Sequence, residues 1–470
     1  MMTVPMSRDD VSFWVDEPDP RPCPPIAGDA SADVAIVGGG FSGLSAAYHL
    51  LKERPGLDVI VLESNSIGSG ASGRNTGMLA PRVGGNIVDL CRRYGLTEAR
   101  RFYQASVDAV RHVTALIAEE DIACELEQAR QVKAAITTRQ AHALATEARL
   151  LEELGFEAPL YDADAMALIS PVAYRAGLCY PHSALLNPVR LCRELKRVVL
   201  QRGGRVYEQS PVQEIVPGHP PTIRHATGNV VARHVVLATN GYTPQLGLLQ
   251  GQVIPIQTHV IQTDPLTPAQ LASINWPGRA PFFEAGRVFN YFRLTAGNRI
   301  VFGGGRPVYA AAANDRSSGA TDIAVPRIWE TLRRLFATRF PALRDLPVAH
   351  CWTGTLGMTL DHMAIVGELA GSPGIFFAGG WNGHGVAMAT ASGAHVAERL
   401  LGNGAARPQF PWMRGAAPPI QVADPVRACG LSVYLAGLQL MDRVEASMDR
   451  LRPGKNSTRR NEVTTWTLGN

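Results

Sequence analysis

The sequence has few cysteines, no long apolar run and no marked excess of either charge. Its seven cysteines are an odd number, widely spaced and without a C-x-x-C pair, which argues against a disulfide framework or a zinc site, so we expect no bound metal. Reduced thiols of this kind predict a cytoplasmic protein. No segment approaches the roughly 18 apolar residues of a membrane span, and the N-terminus lacks the apolar core of a signal peptide.

The charge balance and the size exclude further classes. There are 45 Lys and Arg against 41 Asp and Glu, and the basic residues are scattered, so no nucleic-acid surface is expected. Hydrophobic residues make up 46% of the 470 residues, enough for a large core. A chain of this length exceeds what one core usually supports, which predicts two domains.

The segment ADVAIVGGGFSGLSAAYHLLKERPGLDVIVLES (32–64) contains two continuously apolar strands joined by a glycine turn and a helix. Continuous apolar strands are buried on both faces, which indicates a parallel sheet. The spacing Gly38-x-Gly40-x-x-Gly43 allows a pyrophosphate to approach the helix N-terminus, and Glu63 follows where an acid binds ribose hydroxyls. NAD and FAD both fit this fingerprint, and an ordinary glycine turn is the alternative.

Two later segments favour a flavin. Residues 68–81, GSGASGRNTGMLAP, have four glycines, two alanines and one charge, Arg74, which suits backbone lying against a flat cofactor; a flexible surface loop is the alternative. Residues 376–385, FFAGGWNGHG, precede a helix whose positive end would stabilise the negative charge of reduced flavin. The turn ATNGYTP (238–244) ends another buried strand, as a further backbone platform for the dinucleotide.

The predicted fold is α/β, with a Rossmann-type FAD-binding domain and a discontinuous substrate domain built on a mainly antiparallel sheet. Residues 1–30 form an extended N-terminal arm on the surface. The FAD-binding domain takes residues 31–95, 185–250 and 346–402, and the substrate domain takes 96–184 and 251–345. Alternating segments such as FNYFRL and RIVFGGG carry the antiparallel prediction.

Five segments, DVAIVGGGFSGLSAAYHL, GSGASGRNTG, NYFRLTAGNRIVFGGG, WTGTLGMTLDHMAIVGEL and GIFFAGGWNGHGVA, resemble in order and spacing the FAD-dependent amine and amino-acid oxidoreductases of the D-amino-acid oxidase family. The resemblance covers about residues 12 to 402. It implies that the chain binds FAD through Gly38, Gly40, Phe41, Ser42, Gly43, Glu63, Ser64, Gly70, Ala71, Ser72, Arg74, Asn75, Gly77, Met78, Val212, Ala238, Thr239, Gly241, Gly383, His384, Gly385 and Val386.

The same resemblance bears on how the flavin is attached and reoxidised. In sarcosine-oxidase-like relatives a cysteine just before the Thr-Leu-Asp stretch binds the flavin covalently; here that place is Gly354, so non-covalent FAD is expected, although Cys351 lies three residues earlier. Those relatives carry a lysine that assists reaction with oxygen, and near Val301 there is none. Either oxygen or another acceptor is therefore expected to take the electrons.

The implied activity is oxidation of a C–N bond in a small amine or amino acid (a polyamine conjugate, an N-methyl or a D-amino acid), by hydride transfer to flavin N5 and hydrolysis of the resulting imine. Two alternatives are a dehydrogenase that passes electrons to a quinone or protein, and a non-catalytic flavin-binding assembly factor. The candidate catalytic residues are Arg74, His384, Trp352, Tyr291 and Arg293. A charge in a small-residue loop needs an anionic partner, which makes Arg74 the foremost of them.

Residues 403–470 extend beyond the resemblance. Apolar residues recur there at near-helical spacing: Leu431, Tyr434, Leu435, Leu438, Met441, Met448 and Leu451. This amphipathic helix is expected to dock on the protein's own body, and a partner subunit, a membrane surface or a mobile tail are the alternatives.

Overall fold

The computed structural model describes residues 11–310, 324–402, 412 and 424–451. Its strands are β1 (Ala30–Val37), β2 (Val59–Leu62), β3 (Met78–Leu79), β4 (Glu127–Ala135), β5 (Leu160–Asp162), β6 (Ala176–Leu185), β7 (Arg205–Tyr207), β8 (Val212–Val216), β9 (Thr222–His225), β10 (Gly228–Leu237), β11 (Ile254–Pro265), β12 (Phe282–Glu284), β13 (Tyr291–Leu294), β14 (Arg299–Tyr309), β15 (Val348–Met358), β16 (Ile365–Glu368) and β17 (Ile375–Gly379). Its helices are α1 (Phe41–Glu53), α2 (Ile87–Glu119), α3 (Thr138–Glu153), α4 (Ala163–Ile169), α5 (Pro188–Gln201), α6 (Pro268–Ser273), α7 (Ala324–Arg339), α8 (Gly385–Leu401) and α9 (Asp424–Leu451).

The first sheet has a parallel centre. Its strands run in the order β16-β17-β10-β1-β2-β7, with β9 and β8 beside β10, and β1, β2, β7, β10 and β17 are parallel. All four residues of β2 are buried, because Val59 and Val61 pack with helix residues on one face while Ile60 and Leu62 pack with residues of β8, β9 and β10 on the other. The Rossmann-type α/β prediction is confirmed.

Helices α1 and α8 cross closely on one face of this sheet. A Cβ added at Gly393 would lie 2.3 Å from the backbone carbon of Ser45, so only glycine allows the approach. The Ser45 hydroxyl donates to the Thr390 carbonyl across the crossing at 2.5 Å. The crossing fixes the N-termini of the two helices relative to each other.

The second sheet runs β15-β11-β14-β13-β12-β4-β6-β3, with β5 beside β6. Its pairs are antiparallel except β12 with β4, which confirms the mainly antiparallel prediction. Two strands come from ranges assigned to the other domain: β3 and β15 complete this sheet, although 31–95 and 346–402 were predicted as FAD-binding. Neither strand carries a local pattern that tells which sheet it joins.

The two faces of the second sheet pack on different parts of the chain, the α7 region on one side and α5 with the arm on the other. Trp329, Phe336 and Phe340 of the α7 region pack on Phe292 and Phe302. The opposite face joins Val260, Val301 and Trp352 to Val189 of α5 and to Trp14 of the arm. The arm is therefore not a surface strand throughout, because Trp14 is 3% exposed.

None of the helices within the described ranges combines the length and the apolar character that crossing a bilayer requires. All seven cysteines are free thiols.

Candidate FAD and substrate site

The glycine turn between β1 and α1 is shaped by its own backbone. Gly38 has φ +112°, and a Cβ there would lie 2.8 Å from the carbonyl oxygen of Ala238. A Cβ at Gly43 would lie 2.0 Å from the Gly38 carbonyl oxygen. The turn can therefore bring the N-terminus of α1, which begins at Phe41, close to a phosphate.

Glu63 lies at the end of β2, beside this turn. Its carboxylate accepts hydrogen bonds from the Gly39 amide at 2.7 Å, the Asn65 amide at 2.9 Å and the Ser64 hydroxyl at 3.1 Å. Burial raises the pKa of Glu63 above its ordinary value. The carboxylate is thus held in one orientation at the place where ribose hydroxyls are expected.

Residues 68–77, the flavin loop, are ordered by internal hydrogen bonds. The Asn75 amide donates to the carbonyls of Ala71 and Ser72, and its oxygen accepts from the Gly77 amide at 2.7 Å. The Ser72 hydroxyl accepts from the Phe41 amide at 3.0 Å, which joins the loop to α1. The alternative of a flexible surface loop does not fit these bonds.

Groups from outside also bind the flavin loop through its carbonyl oxygens. The Ser12 hydroxyl donates to Gly73 at 2.6 Å, and the indole nitrogen of Trp14 donates to Asn75 at 2.8 Å. The indole nitrogen of Trp352 donates to Arg74 at 2.9 Å. Trp352 itself is 0% exposed, so this predicted site residue reaches the loop from the core of the second sheet.

Arg293 is a buried cation under the same loop. It is 2% exposed, so it is not one of the solvated residues that an alternating strand can carry. Its Nη1 donates to the carbonyls of Thr76 at 3.0 Å, Gly77 at 3.3 Å and Leu186 at 2.9 Å. Burial lowers its pKa to about 10. The guanidinium ties the second sheet to the flavin loop.

Arg74 bridges the flavin loop and β15. Its Nε donates to the Ser69 carbonyl at 2.9 Å and its Nη1 to the Thr353 carbonyl at 2.7 Å. These carbonyl oxygens supply negative partial charge where the sequence predicted an anion. A flavin or substrate anion as a further partner stays a prediction.

The segment before α8 is a second glycine turn. Asn382 accepts from the Thr359 amide at 2.8 Å, and its amide nitrogen donates to the Gly380 carbonyl at 2.6 Å. His384 is the N-cap of α8 and makes no side-chain cap, which leaves first-turn amides for a ligand. Burial, Arg82 and His362 lower the pKa of His384 well below its ordinary value, so the imidazole is neutral.

Most of the predicted cofactor residues converge at the junction of the two sheets. The backbone amide of Gly380 donates to Asn240 Oδ1 at 2.9 Å, and the backbone amide of Asn382 donates to the Gly357 carbonyl at 3.0 Å. A Cβ at Gly241 would lie 2.8 Å from Leu356, which places the turn after β10 against β15. Val212, at the start of β8, packs against the apolar cluster of the first sheet, two residues after Ser210, whose amide donates to the Glu63 carbonyl at 2.8 Å.

These residues fit FAD. The uncapped N-terminus of α8 and the N-terminus of α1 offer amides to the flavin and the pyrophosphate, and Glu63 offers a carboxylate to the ribose. At Gly70 an added Cβ would meet only Tyr242, at 3.6 Å, so the loop leaves low backbone on that side. Among the described residues, no group of three His, Cys, Asp or Glu side chains is arranged as metal ligands.

The sequence did not identify Arg82, which follows the flavin loop and β3. Its guanidinium lies over the Phe283 ring at 4.9 Å, and no described residue forms a hydrogen bond or ion pair with it. Its charge contributes to the lowered pKa of His384, and β3, three residues before Arg82, packs against α8. The sequence does contain a feature that could have identified it, since Arg82 is the next charged residue after Arg74.

Arg82 lines a cleft with an aromatic wall. The lining residues are Pro81, Arg82, Val83, Gly85, Asn86, Ile87, Leu90, Tyr103, Gln131, Glu147, Tyr180 and Phe283. The Glu147 carboxylate already accepts hydrogen bonds from Lys133 Nζ at 2.7 Å and from the Tyr180 hydroxyl at 2.8 Å. The Gln131 amide contacts Met78 Sδ at 3.2 Å, which joins the cleft to the end of the flavin loop.

The aromatic wall continues to Tyr291 as one row, which we call the aromatic row (Tyr180, Phe283, Phe289 and Tyr291). Successive ring centroids are 6.0, 6.3 and 6.2 Å apart. Burial raises the pKa of Tyr291 to about 12, so its hydroxyl stays protonated and can donate. Of the four rings, Tyr180 and Phe283 line the cleft and Tyr291 stands at the far end of the row, so a catalytic role for Tyr291 stays a prediction.

Comparison with known proteins agrees with this geometry. The family model described as FAD dependent oxidoreductase matches residues 33–399. Gamma-glutamylputrescine oxidoreductase of Escherichia coli (strain K12) is 31% identical over 380 residues, 79% of this chain and 84% of that protein. A probable oxidoreductase, OrdL, of Haemophilus influenzae is 29% identical over 81% of this chain and 85% of its own length.

Solved structures share the fold. Glycine oxidase from Geobacillus kaustophilus superposes with a TM-score of 0.69 at 21% identity, covering 83% of this chain and all of that one. L-Proline dehydrogenase from P. horikoshii gives a TM-score of 0.64 at 18% identity, over 82% of this chain and 96% of that one. Since the matched family model spans most of the chain, the protein belongs to the FAD dependent oxidoreductase (DAO) family, and its cofactor is FAD.

Proposed function

We propose that the protein oxidises a C–N bond in a small amine or amino acid whose carboxylate binds Arg82 at this cleft. The observation that carries this proposal is a cation without an ion-pair partner among the described residues, next to an aromatic row and to the N-terminus of α8. A cation at this position suits a substrate carboxylate. The named activities of similar proteins, gamma-glutamylputrescine oxidoreductase and glycine oxidase, support a nitrogen compound as substrate.

The chain's residues would act mainly by positioning. Arg82 would bind the carboxylate of the substrate, and the aromatic row would pack on its carbon chain and exclude water. The Tyr291 hydroxyl would donate a hydrogen bond to the substrate. His384 is neutral and adds no charge of its own at the α8 N-terminus. When bound, FAD supplies the hydride acceptor. Holding the Cα–H in line with that acceptor accounts for much of the rate in such reactions.

Anaerobic mixing of the FAD-loaded protein with a panel of polyamines, their glutamyl conjugates, N-methyl and D-amino acids tests this function. We expect one class to bleach the flavin absorbance. Arg82→Gln should raise KM for a carboxylate-bearing substrate about tenfold, because one charge-assisted contact contributes roughly 1.5 kcal/mol. Arg130→Gln, an exposed arginine of β4 paired with Glu157, is the control. Absence of bleaching with every compound would favour a non-catalytic flavin-binding role.

The electron acceptor is a separate part of the proposal. Val301 is 0% exposed and packs with Trp14 and Trp352, and no lysine stands there to assist oxygen. A dehydrogenase that reduces a quinone or protein acceptor is therefore the second candidate. Hydrogen peroxide formed in step with substrate loss would indicate an oxidase, and bleaching that persists in air would indicate the dehydrogenase.

Non-covalent attachment of the FAD completes the proposal. A Cβ at Gly354 would lie 3.0 Å from Arg74 Cβ, and glycine offers no thiol there. Cys351 points to the other face of β15, where Arg333 contacts its sulfur at 3.4 Å within the α7 cluster. Acid precipitation should leave all flavin in the supernatant. A cytoplasmic location, expected from the cysteine usage, is tested by cell fractionation.

A further inference from the structure

Helix α9 lies outside the part of the chain that the family model matches, yet it binds a loop beside the cleft. Asp442 Oδ2 accepts from the backbone amides of Arg287 at 2.8 Å and Val288 at 2.9 Å. Its Oδ1 accepts from Arg287 Nη1 at 2.7 Å. One carboxylate therefore receives three hydrogen bonds from consecutive residues of one loop.

This loop, residues 285–290, connects β12 to β13 and is called the pocket loop. It carries Phe289, and it leads directly into Tyr291, so it sets the far half of the aromatic row. Glu445, one helical turn after Asp442, accepts from Arg287 Nη1 at 3.1 Å and from the Thr137 hydroxyl at 2.8 Å. The hydrogen bond to Asp442 raises the pKa of Arg287, so the guanidinium stays charged across the neutral range.

A third acidic residue of α9 has a different contact. Asp449 accepts from the Thr138 amide at 3.1 Å and forms an ion pair with Arg175 at 2.9 Å. Both partners lie away from the pocket loop, at the start of α3 and before β6. Asp449 thus attaches the same helix to the body without touching the aromatic row, and it provides a matched control.

We propose that Asp442 is a positioning residue for the substrate cleft: it holds the pocket loop so that Phe289 and Tyr291 complete the aromatic row. The C-terminal helix then contributes to substrate binding although it carries no group that reacts. This inference rests on the proposed function, because it assumes that the cleft binds the amine.

The physical reason is the number of bonds that depend on one carboxylate. Without it, two loop amides lose their acceptor and the Arg287 side chain keeps only Glu445, so the loop gains conformations that do not place the rings. A loop that must be ordered on binding weakens affinity, while the rate of the bound complex changes less. The expected signature is a change in KM that exceeds the change in kcat.

The experiment compares the FAD-loaded wild type with Asp442→Ala, Asp442→Asn and Asp449→Ala. Hydrogen–deuterium exchange of the peptide covering 284–291 is measured without substrate, and KM and kcat are measured with the amine that bleaches wild-type flavin most rapidly. We expect Asp442→Ala to speed exchange at least fivefold and to raise KM about tenfold, with kcat within twofold. Asp442→Asn, which keeps an acceptor oxygen, should restore most of both values, and Asp449→Ala should change neither.

Several outcomes would overturn the inference. Equal effects of Asp442→Ala and Asp449→Ala would show only general loosening of α9. Faster exchange without a change in KM would show that the loop is held for another purpose. If no amine reduces wild-type flavin, the proposed function fails. Titration with benzoate, a flat carboxylate, followed by flavin absorbance then decides whether Asp442→Ala weakens binding in the cleft. An unchanged or undetectable benzoate affinity rejects the inference as well.

Discussion

Two glycines of the flavin loop, three residues apart, lack side chains for different reasons. At Gly73 an added Cβ would lie 2.1 Å from the Gly68 carbonyl oxygen and 2.7 Å from a methyl group of Val189. The protein's own packing therefore requires glycine there. At Gly70 the nearest atom, in the Tyr242 ring, is 3.6 Å away, so the protein itself would tolerate a methyl group and only the cofactor would meet it.

This difference gives a prediction for the pair. Gly73→Ala should lower the melting temperature of the apoprotein, because backbone must shift to make room. Gly70→Ala should leave the apoprotein stable but weaken FAD binding about tenfold. Differential scanning fluorimetry of apoprotein and fluorescence titration with FAD separate the two effects. Unchanged FAD affinity in Gly70→Ala would mean that this part of the loop does not face the cofactor.

A buried histidine of β11 predicts how stability changes with pH. His259 is 0% exposed, its Nδ1 lies 3.0 Å from the Thr353 hydroxyl, and burial lowers its pKa from 6.5 to about 4. The unfolded chain therefore takes up this proton first as pH falls. The stabilisation is complete above pH 6.5 and is lost between pH 6.5 and 4, by about 3 kcal/mol.

Denaturant unfolding of the wild type and His259→Asn over that pH range tests the sign. The variant, which has nothing to titrate there, should show a shallower loss of unfolding free energy on acidification. His142→Asn, at an exposed position, is the control. A variant whose slope equals that of the wild type would show that other groups account for the acid sensitivity.

At the scale of elements, sequence patterns predict the parts whose contacts are local. The strand, glycine turn and helix around Gly38 follow from burial and spacing within about thirty residues, and the helical periodicity of residues 97–122 and 138–156 agrees with α2 and α3. The strand between them, β4, has no comparable local pattern. Its pairing with β6 and β12 brings together residues far apart in the chain, and pairing at that distance leaves no local signal.

The two ends of the described chain were harder to predict than its centre. The sequence prediction gave α9 an apolar contact with the body, but acidic residues anchor its C-terminal half, while Tyr434, Met441 and Met448 are 61%, 50% and 53% exposed. Leu431, Leu435 and Leu438 are half-buried, and the side chain of Leu451 is outside the described residues. Contact with a subunit or a membrane surface through this helix stays a prediction.

The short helical turn Phe13–Val15 gives a prediction about the arm. Trp14→Phe should keep most of the packing but remove the hydrogen bond to the Asn75 carbonyl, which loosens the flavin loop. We expect FAD affinity to fall three- to tenfold with little change in melting temperature. Fluorescence titration measures the affinity, with Val11→Ala, 44% exposed in the wild type, as the control. Full affinity in Trp14→Phe would show that the arm only covers the loop.

At the scale of the whole molecule, the flavin loop is where the arm and both sheets meet. The loop accepts hydrogen bonds from Ser12 and Trp14 of the arm and from Phe41 at the start of α1. It also accepts hydrogen bonds from Arg293 and Trp352 of the second sheet. A cofactor bound against such a loop stabilises everything attached to it. The two domains should therefore respond to FAD as one unit.

Calorimetry tests this coupling. FAD at a hundred times its Kd should add about 2.7 kcal/mol to the free energy of unfolding, and the holoprotein should unfold in one transition. Arg293→Met should lower the stability by about 3 kcal/mol, because three buried carbonyls lose their donor. Two separate transitions, with FAD shifting only one of them, would contradict a shared unit.

The position of Asp442 has a consequence for how the enzyme matures during synthesis. Every strand of both sheets is translated before α9, so the residues predicted to bind FAD are complete while the pocket loop still lacks its acidic partner. A product that stops before residue 424 would contain every residue predicted here to contact FAD but would lack the helix that orders the cleft. Premature termination would then yield a yellow protein with poor affinity for its amine, and the ability to bind flavin would overstate the amount of working enzyme in a cell.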